Sequence, residues 1–222
     1  MTEYFRRKYV QADEAFLAPS AALMAPRLIG CVLHHDYRGA ETAVMLIDVE
    51  AYGGGSDRAF HLHPENRSRR NRWATNLTPH GTVRIHGYRD MWALDIVCGE
   101  GGAGSTVLVR AGLPVAGIDL MAERRSLPKG ADVSIKQRLP GYEKRLCNAP
   151  CKLAEGLGIY PELDGASLLK HPFRLLRPVE PVTNLLNGKR VGVTQDRELP
   201  WRWGHPDYQA WLAKKFPPKD PK

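Results

Sequence analysis

AVMLIDVEAYGGGSDRAFH, residues 43–61, is the stretch that decides the fold. Its first part, residues 43–49, is mostly apolar and partly β-branched, as is typical of a strand buried in a sheet. The glycines and polar residues that follow break this strand. Upstream, the apolar residues 31–33 precede the polar segment DYRGAET, residues 36–42. The sequence therefore predicts a strand–turn–strand unit whose second strand leads to Glu50.

Outside this unit, the chain combines short helices with short strands. Apolar residues at helical spacing predict helices over residues 12–17, 21–28, 118–125 and 149–157. Runs typical of strands cover residues 82–85, 91–97, 106–111, 174–176 and 190–193. We therefore expect the fold class α+β, a single compact domain over residues 1–210 with a curved, mainly antiparallel β-sheet and flanking helices. The basic, proline-bearing end, residues 211–222, is expected to be a disordered tail.

Composition limits the class of protein. The chain has 222 residues, and 32 Lys and Arg against 24 Asp and Glu give a net charge of +8. Hydrophobic residues make up 43%, an ordinary value for a globular domain that argues against a disordered chain. No apolar run is long enough to span a membrane and no signal peptide is visible, so we expect an intracellular, cytoplasmic protein. The four cysteines do not make a disulfide scaffold and are expected to be reduced and mostly buried.

Positive charge is concentrated in one part of the chain. The arginines of this basic cluster are Arg67, Arg69, Arg70, Arg72, Arg84 and Arg89. A polyanion would neutralise such a cluster, and nucleic acid is the commonest polyanion partner. A solvated basic loop is the alternative, and charge alone does not separate the two interpretations.

Two further patterns match ligand-binding motifs in part. Residues 99–104 fit the dinucleotide pattern G-x-G-x-x-G, but a strand-like run follows where a helix should bind the pyrophosphate, which favours a hairpin loop. His61, His63, Cys147 and Cys151 could supply four ligands to zinc, but their spacing fits no closed zinc site. We therefore predict neither a bound metal nor a cofactor.

Glu50 is the first residue of the pattern that indicates a catalytic site. The apolar strand ends in this carboxylate, Tyr52 follows two residues later on the same face, and the glycine turn brings His61 back towards both. A desolvated carboxylate suits a general base, because desolvation raises its basicity, and an aromatic ring beside it suits stacking on a planar ligand. A structural glutamate at a strand end, covered by a loop, fits the same residues.

This segment resembles the alkyladenine (3-methyladenine) DNA glycosylase family, in which an E-A-Y triplet is followed at a fixed spacing by a histidine. Here the triplet is Glu50-Ala51-Tyr52 and the histidine is His61. Further segments are similar to family motifs in the same order: RLIG at 27–30, RNR at 70–72, VLVRA at 107–111, LCNAPCKL at 146–153 and RVGV at 190–193.

The resemblance implies a monofunctional, monomeric enzyme of base excision repair. It would flip damaged purines out of double-stranded DNA and hydrolyse the N-glycosidic bond without a cofactor. By the same resemblance Glu50 activates the attacking water, which Arg110 and the backbone carbonyl of Val191 help to hold. Tyr52 would stack on the flipped base, His61 would contact the sugar-phosphate or the base edge, and the basic cluster would contact phosphates.

Three positions near the predicted base pocket differ from the family pattern or need an adjusted alignment. His86 stands where the family has an aromatic wall of the pocket, and Asp95 replaces the usual Asn of the pocket floor. Counting back from Asp95, Tyr88 aligns with the residue that wedges into the gap left by the flipped base. We expect these changes to alter the substrate range more than the reaction type.

Two other functions are compatible with parts of the sequence. One is a non-catalytic damaged-DNA-binding protein of the same fold, which the presence of Glu50 and Arg110 disfavours. The other is a zinc-dependent RNA-binding module that would use Cys147 and Cys151.

Overall fold

A computed structural model describes residues 8–53, 57–60, 78–88, 90–99, 104–126 and 142–217, and of Tyr88 it describes the backbone only. The strands within these ranges are Tyr9–Gln11 (β1), Val32–Tyr37 (β2), Ala40–Gly53 (β3), Val83–Tyr88 (β4), Met91–Cys98 (β5), Ser105–Ala116 (β6), Phe173–Pro178 (β7), Leu186–Gly188 (β8) and Arg202–Gly204 (β9). The α-helices of the described part are Glu14–Leu17 (α1), Ala21–Leu28 (α2), Ile118–Arg124 (α3) and Pro150–Leu157 (α4). Short 3₁₀ turns cover Glu143–Arg145, Pro161–Leu163 and Pro206–Trp211.

The strands form one sheet in the order β1-β7-β2-β3-β6-β5-β4, with β9 beside β3 and β8 beside β9. All pairings between these strands are antiparallel. The predicted α+β class with a mainly antiparallel sheet is therefore confirmed.

Strand β3 lies at the centre of this sheet. On one side it pairs first with β2 and then, from Asp48 to Glu50, with β9, while β6 runs along the other side. Arg38 and Gly39 connect β2 to β3, and both have positive φ (54° and 82°). Such a two-residue turn matches the twist of the two strands it joins. The strand–turn–strand unit is confirmed, but its turn is shorter than the predicted segment 36–42, because β2 extends to Tyr37 and β3 begins at Ala40. Strand β3 continues beyond Glu50 to Gly53, three residues further than the sequence predicted.

The main core lies between one face of the sheet and the helices. Its strand residues alternate along the chain, as a half-buried sheet requires. They include Val44, Leu46, Val49, Ala51, Val83, Ile85, Leu94, Ile96, Val107 and Val109. Helices α2 and α4 contribute Met24, Leu28, Leu153 and Leu157. Helix α4 starts at Pro150 and ends at Gly158, whose φ of 71° suits glycine, so both sequence signals for this helix are confirmed.

Two expectations at the C-terminal end are corrected. The predicted strand over residues 190–193 is wrong: the nearby strand is β8, and the Arg190 side chain and the Val191 backbone N–H instead contact Asp57 and Glu50. Within the segment predicted to be a disordered tail, Leu212 and Phe216 are buried. Phe216 lies under the Arg202 guanidinium, 4.0 Å from the ring centroid, so the folded domain extends at least to this residue.

Other local predictions can also be compared with the structure. β5 and β6 are consecutive antiparallel strands that pair as far as Cys98 and Ser105, as the hairpin interpretation of the glycine pattern requires, and residues 100–103 of that pattern lie outside the described part. The cysteines are free, and all except the half-buried Cys151 are buried, as predicted. Within the described ranges, no helix is long and apolar enough to cross a membrane.

Candidate active site

A row of side chains crosses four strands of the sheet. Glu50 on β3 is opposite Leu108 on β6, and Leu108 is in turn opposite Asp95 on β5. Asp95 is opposite Arg84 on β4. Because opposed residues of antiparallel strands share a face, these four residues lie on one face, which we call the site face. The other side of the same strands, the core face, packs against the helices.

Glu50 is fully buried on the site face and is held by three groups. Its Oε1 accepts a hydrogen bond from the backbone N–H of Val191 at 2.7 Å and lies 3.2 Å from Nη1 of Arg110. Its Oε2 accepts a hydrogen bond from the Tyr52 hydroxyl at 2.8 Å. Burial raises the pKa of Glu50 above its ordinary value, although Arg110 acts in the opposite direction. The carboxylate is therefore both oriented and more basic than an exposed glutamate.

Asp48, two residues before Glu50, is a second buried carboxylate. Arg202 on β9 donates to it twice, from Nε to Oδ1 at 2.9 Å and from Nη2 to Oδ2 at 2.9 Å. Nε of Arg110 donates to Oδ2 of the same carboxylate at 3.2 Å. The β3–β6 ladder is irregular on both sides of Asp48 and has no partner position for Arg110. Such bulges redirect side chains, and here two charged groups meet beside Glu50.

A buried ion pair lies next to the end of β3. Arg190 donates to the two carboxylate oxygens of Asp57 at 2.7 and 2.8 Å, and both side chains are fully buried. Asp57 also accepts the backbone N–H of Gly53 at 3.0 Å. Gly53 has a φ of 122°, and a Cβ there would lie 2.5 Å from Cα of Ser105, so this position requires glycine. The Arg190 guanidinium lies 4.6 Å from the Tyr52 ring centroid and so covers one face of that ring.

Asp95 and His86 form a second charged pair on the site face. Nδ1 of His86 lies 3.3 Å from Oδ2 of Asp95, which is only 5% exposed, whereas the His86 side chain is 46% exposed. Asp95 raises the pKa of His86 above its ordinary value, because the carboxylate favours the protonated ring. Oδ1 of Asp95 is buried and has no hydrogen-bond partner among the described residues. The pair therefore places an imidazole with a raised pKa, and an acceptor oxygen that no described residue occupies, on the face that carries Glu50.

The structure brings together four of the residues that the sequence singled out. They are Glu50 itself and three residues that contact its carboxylate, namely Tyr52, Arg110 and Val191. Val191 contacts the carboxylate through its backbone N–H, whereas the resemblance gave a role to its carbonyl. His86 and Asp95 are on the same face, as described above.

The remaining predicted residues lie farther along β4 or outside the described part. Nε of Arg84 is 3.6 Å from Asp164, so this arginine has a protein partner. Tyr88 is the last residue of β4, and its backbone is opposite Met91. Outside the described residues lie His61, Arg67, Arg69, Arg70, Arg72 and Arg89.

Four buried charged residues at the site were not assigned a role from the sequence: Asp48, Asp57, Arg190 and Arg202. Asp48 gave a local signal, because it is a charged residue within an apolar strand, and such residues need a buried partner. Its partner Arg202 lies too far along the chain for a local pattern to identify it. Arg190 belongs to the RVGV segment, but nothing nearby in sequence indicates its pairing with Asp57.

Comparisons with known proteins identify the family of this chain. A family model of methylpurine-DNA glycosylases matches residues 15–209. The chain belongs to this family. A relative from Nitrosospira multiformis is 32% identical over 185 residues, covering 83% of this chain and 85% of the relative. One from Methanoculleus marisnigri is 35% identical over 194 residues (85% and 92%), and one from Agrobacterium fabrum is 31% identical over 209 residues (94% and 95%). All three are named as 3-methyladenine DNA glycosylases.

Membership in the methylpurine-DNA glycosylase family makes this chain a DNA-repair enzyme, a DNA glycosylase, with DNA as its partner. The buried Glu50 and the groups that hold it are accordingly the candidate active site of the glycosylase.

Proposed function

We propose that this glycosylase flips an alkylated or deaminated purine out of duplex DNA and hydrolyses its N-glycosidic bond with a water that Glu50 activates. The observation that supports this most is the buried Glu50 carboxylate, oriented by Arg110, Tyr52 and the backbone N–H of Val191. A carboxylate has about four acceptor positions, so these donors leave room for a water. A base inside a duplex is out of reach of a buried group, which is why the nucleotide must be extruded first.

The chemistry needs one base and one stabilising charge. Water adds to C1′ of the deoxyribose, its proton passes to Glu50, and the electron pair of the broken C1′–N bond leaves with the purine. Positive charge develops on the sugar as this bond breaks, and the Glu50 anion stabilises it while it activates the water. Because water is the nucleophile, no lysine Schiff base is required and the product is an abasic site.

The flipped base would lie between Tyr52 and His86. Arg190 covers one face of the Tyr52 ring, which leaves the other face for stacking on a base. At the pocket floor, the position that the resemblance assigns to Asp95, an ionised carboxylate accepts hydrogen bonds but donates none, unlike the asparagine of the family. We propose that Asp95 accepts from an exocyclic 2-amino group and so increases tolerance of guanine-derived lesions.

The surface that would bind DNA includes residues of β4 and of the basic cluster. We propose that the arginines of this cluster and His61 contact the sugar-phosphate backbone, and that Tyr88 fills the gap left by the flipped nucleotide. A monomer suffices for this arrangement, because every proposed catalytic group comes from one chain.

The experiment is a single-turnover base-release assay on duplexes that contain 3-methyladenine, 7-methylguanine or hypoxanthine. Glu50→Gln should lower the release rate by about 10²–10⁴ with little change in lesion-DNA binding, because the amide keeps the shape but cannot accept the proton. Glu155→Gln, which changes a half-exposed carboxylate on α4, is the matched control and should release base at the wild-type rate.

Two results would contradict the proposal. Release by Glu50→Gln within a few-fold of wild type would remove Glu50 from the general-base role. Tight lesion binding by the wild-type protein without release from any of the three duplexes would favour a non-catalytic damaged-DNA-binding protein.

A further inference from the structure

Four buried side chains form a line of alternating charge that ends at Glu50. In order they are Arg202, Asp48, Arg110 and Glu50. Each neighbouring pair is joined by a contact of 2.9 to 3.2 Å, and none of the four residues is more than 8% exposed. Only the last two take part in the proposed reaction, so Asp48 and Arg202 require a separate explanation.

Stability does not explain why these charges are present. Asp48 lies on a strand between Ile47 and Val49, two buried apolar residues. Moving an ion pair out of water costs about as much as the pair returns by attraction, so replacing it with apolar residues is often neutral or stabilising. A buried pair that touches a catalytic arginine is instead well suited to controlling the geometry of that arginine.

We propose that Asp48 and Arg202 are positioning residues of the glycosylase reaction: their ion pair fixes the Arg110 guanidinium so that one of its N–H groups contacts the Glu50 carboxylate. This inference rests on the proposed role of Glu50. Nε of Arg110 contacts Asp48, and Nη1 of Arg110 contacts Glu50. The two hydrogen bonds from Arg202 engage both carboxylate oxygens of Asp48. Arg202 thus balances the charge of Asp48, so that Arg110 is not drawn away from Glu50.

The same line of charge also sets the electrostatic environment of Glu50. Asp48 raises the pKa of Glu50, and Arg110 lowers it. Among the described residues, the charged and titratable groups around this pair of carboxylates are Tyr52 on β3, Arg110 on β6 and Arg202 on β9. Beyond Tyr52 lie Asp95 on β5 and Arg190 before β9. Removing the charge of Asp48 and removing the charge of Arg202 should therefore move the pKa of Glu50 in opposite directions.

Arg202 also has contacts with a purely structural effect. Its Nη2 donates to the backbone carbonyl of Lys214, and its guanidinium lies over the Phe216 ring. A variant of Arg202 can therefore lose stability without any connection to catalysis. The test needs a measurement that a structural role does not change, and the pH profile of base release is such a measurement.

The experiment compares Asp48→Asn, Arg202→Gln and the double variant with wild type, on the lesion duplex that wild type processes fastest. Single-turnover release is measured from about pH 3.5 to about pH 8, which includes the ordinary pKa values of carboxyl and imidazole groups. Both single variants should lose about tenfold to a hundredfold in rate at the plateau, since misplacement of a catalytic group by about 1 Å has effects of this size.

The direction of the pH shift identifies the role. The acid limb is the part of the profile in which the rate rises as Glu50 loses its proton. It should move to lower pH in Asp48→Asn and to higher pH in Arg202→Gln. In the double variant it should return towards the wild-type position. Arg202→Lys, which keeps the charge, should restore the wild-type limb. Leu33→Ala, which removes a fully buried side chain from β2, is the control and should lower the unfolding midpoint without moving the limb.

Acid limbs that coincide with wild type, or that shift in the same direction in both single variants, would overturn the inference. If Asp48→Asn does not fold, Arg202→Gln decides alone, and an unchanged limb in it overturns the inference. Failure of the proposed function is a different result, namely no release by wild type or full release by Glu50→Gln.

Discussion

Both faces of the central strands β3, β6 and β5 contain buried residues, but the two faces are filled in different ways. On the core face, Val49, Val109 and Leu94 are shielded from water, and burying apolar area contributes about 25 cal/mol per Å². On the site face, Glu50 and Arg110 are shielded as well, but the attraction between them is offset by the cost of removing two charges from water. The core face therefore supplies stability, whereas the site face uses burial to change the chemistry of a carboxylate.

The largest expected effect is a loss of stability without a loss of activity, which we expect from a substitution on the core face. Leu94→Ala should lower the free energy of unfolding by about 2–5 kcal/mol, because it removes a fully buried side chain and leaves a cavity. The single-turnover rate of the folded fraction should stay within a few-fold of wild type, since Leu94 points away from Glu50. Urea unfolding and base release on the same preparation measure the two quantities.

The matching variant on the site face is Glu50→Gln, which should lower the rate of base release and not the free energy of unfolding. The pKa of Glu50 is raised in the folded protein, so between its ordinary and its folded value the folded state holds a proton that the unfolded state has lost. The wild-type protein therefore loses stability as the pH rises through that interval, and the amide variant does not. The stability of Glu50→Gln relative to wild type should increase with pH, and a constant or decreasing difference would contradict the raised pKa.

The difference between the faces also explains what the sequence could predict. The core face follows from local signals: the apolar run of β3, the turn before it, and Pro150 and Gly158 at the ends of α4. Glu50 and Tyr52 were found because they are neighbours in one short motif. The partners of the site face are not local, since Asp48 meets Arg202 across 154 positions and Asp57 meets Arg190 across 133.

The two C-terminal errors have a physical reason of the same kind. Residues 190–193 have the composition of a strand, but the Val191 backbone N–H donates to Glu50 and not to a neighbouring strand. Phe216 lies in a basic, proline-rich segment that is typical of a tail, yet it packs beside Gly204, where a Cβ would come within 2.5 Å of its ring. Both outcomes depend on tertiary contacts that composition does not encode.

A smaller effect tests whether the site face continues to the end of β4. Tyr88→Ala should weaken binding and excision on paired lesions by about 1–3 kcal/mol more than on lesions that are already unpaired, because stacking in the vacated gap is lost. Release and binding on matched duplexes with a paired or an unpaired lesion measure this difference. Leu23→Ala, an exposed apolar residue on α2, is the control and should change neither substrate. An equal loss on both substrates would make Tyr88 a packing residue.

The smallest expected effect concerns His86 and Asp95, a pair on the site face whose His86 side chain is partly open to solvent. Asp95 raises the pKa of His86, so the ring stays protonated above its ordinary value near 6.5 and becomes neutral only as the pH passes the raised value. A protonated His86 repels a cationic lesion such as 7-methylguanine but not the neutral hypoxanthine. The ratio of 7-methylguanine to hypoxanthine release should therefore rise with pH by about fivefold, which corresponds to about 1 kcal/mol between two charges at 4 Å in water. In Asp95→Asn the pKa of His86 should fall, so the rise of this release ratio should move to lower pH. The preference for 7-methylguanine at high pH should also decrease, because the 2-amino group of that base loses an anionic acceptor. A ratio that does not change with pH, together with an unchanged order of rates in Asp95→Asn, would show that this pair does not contact the base.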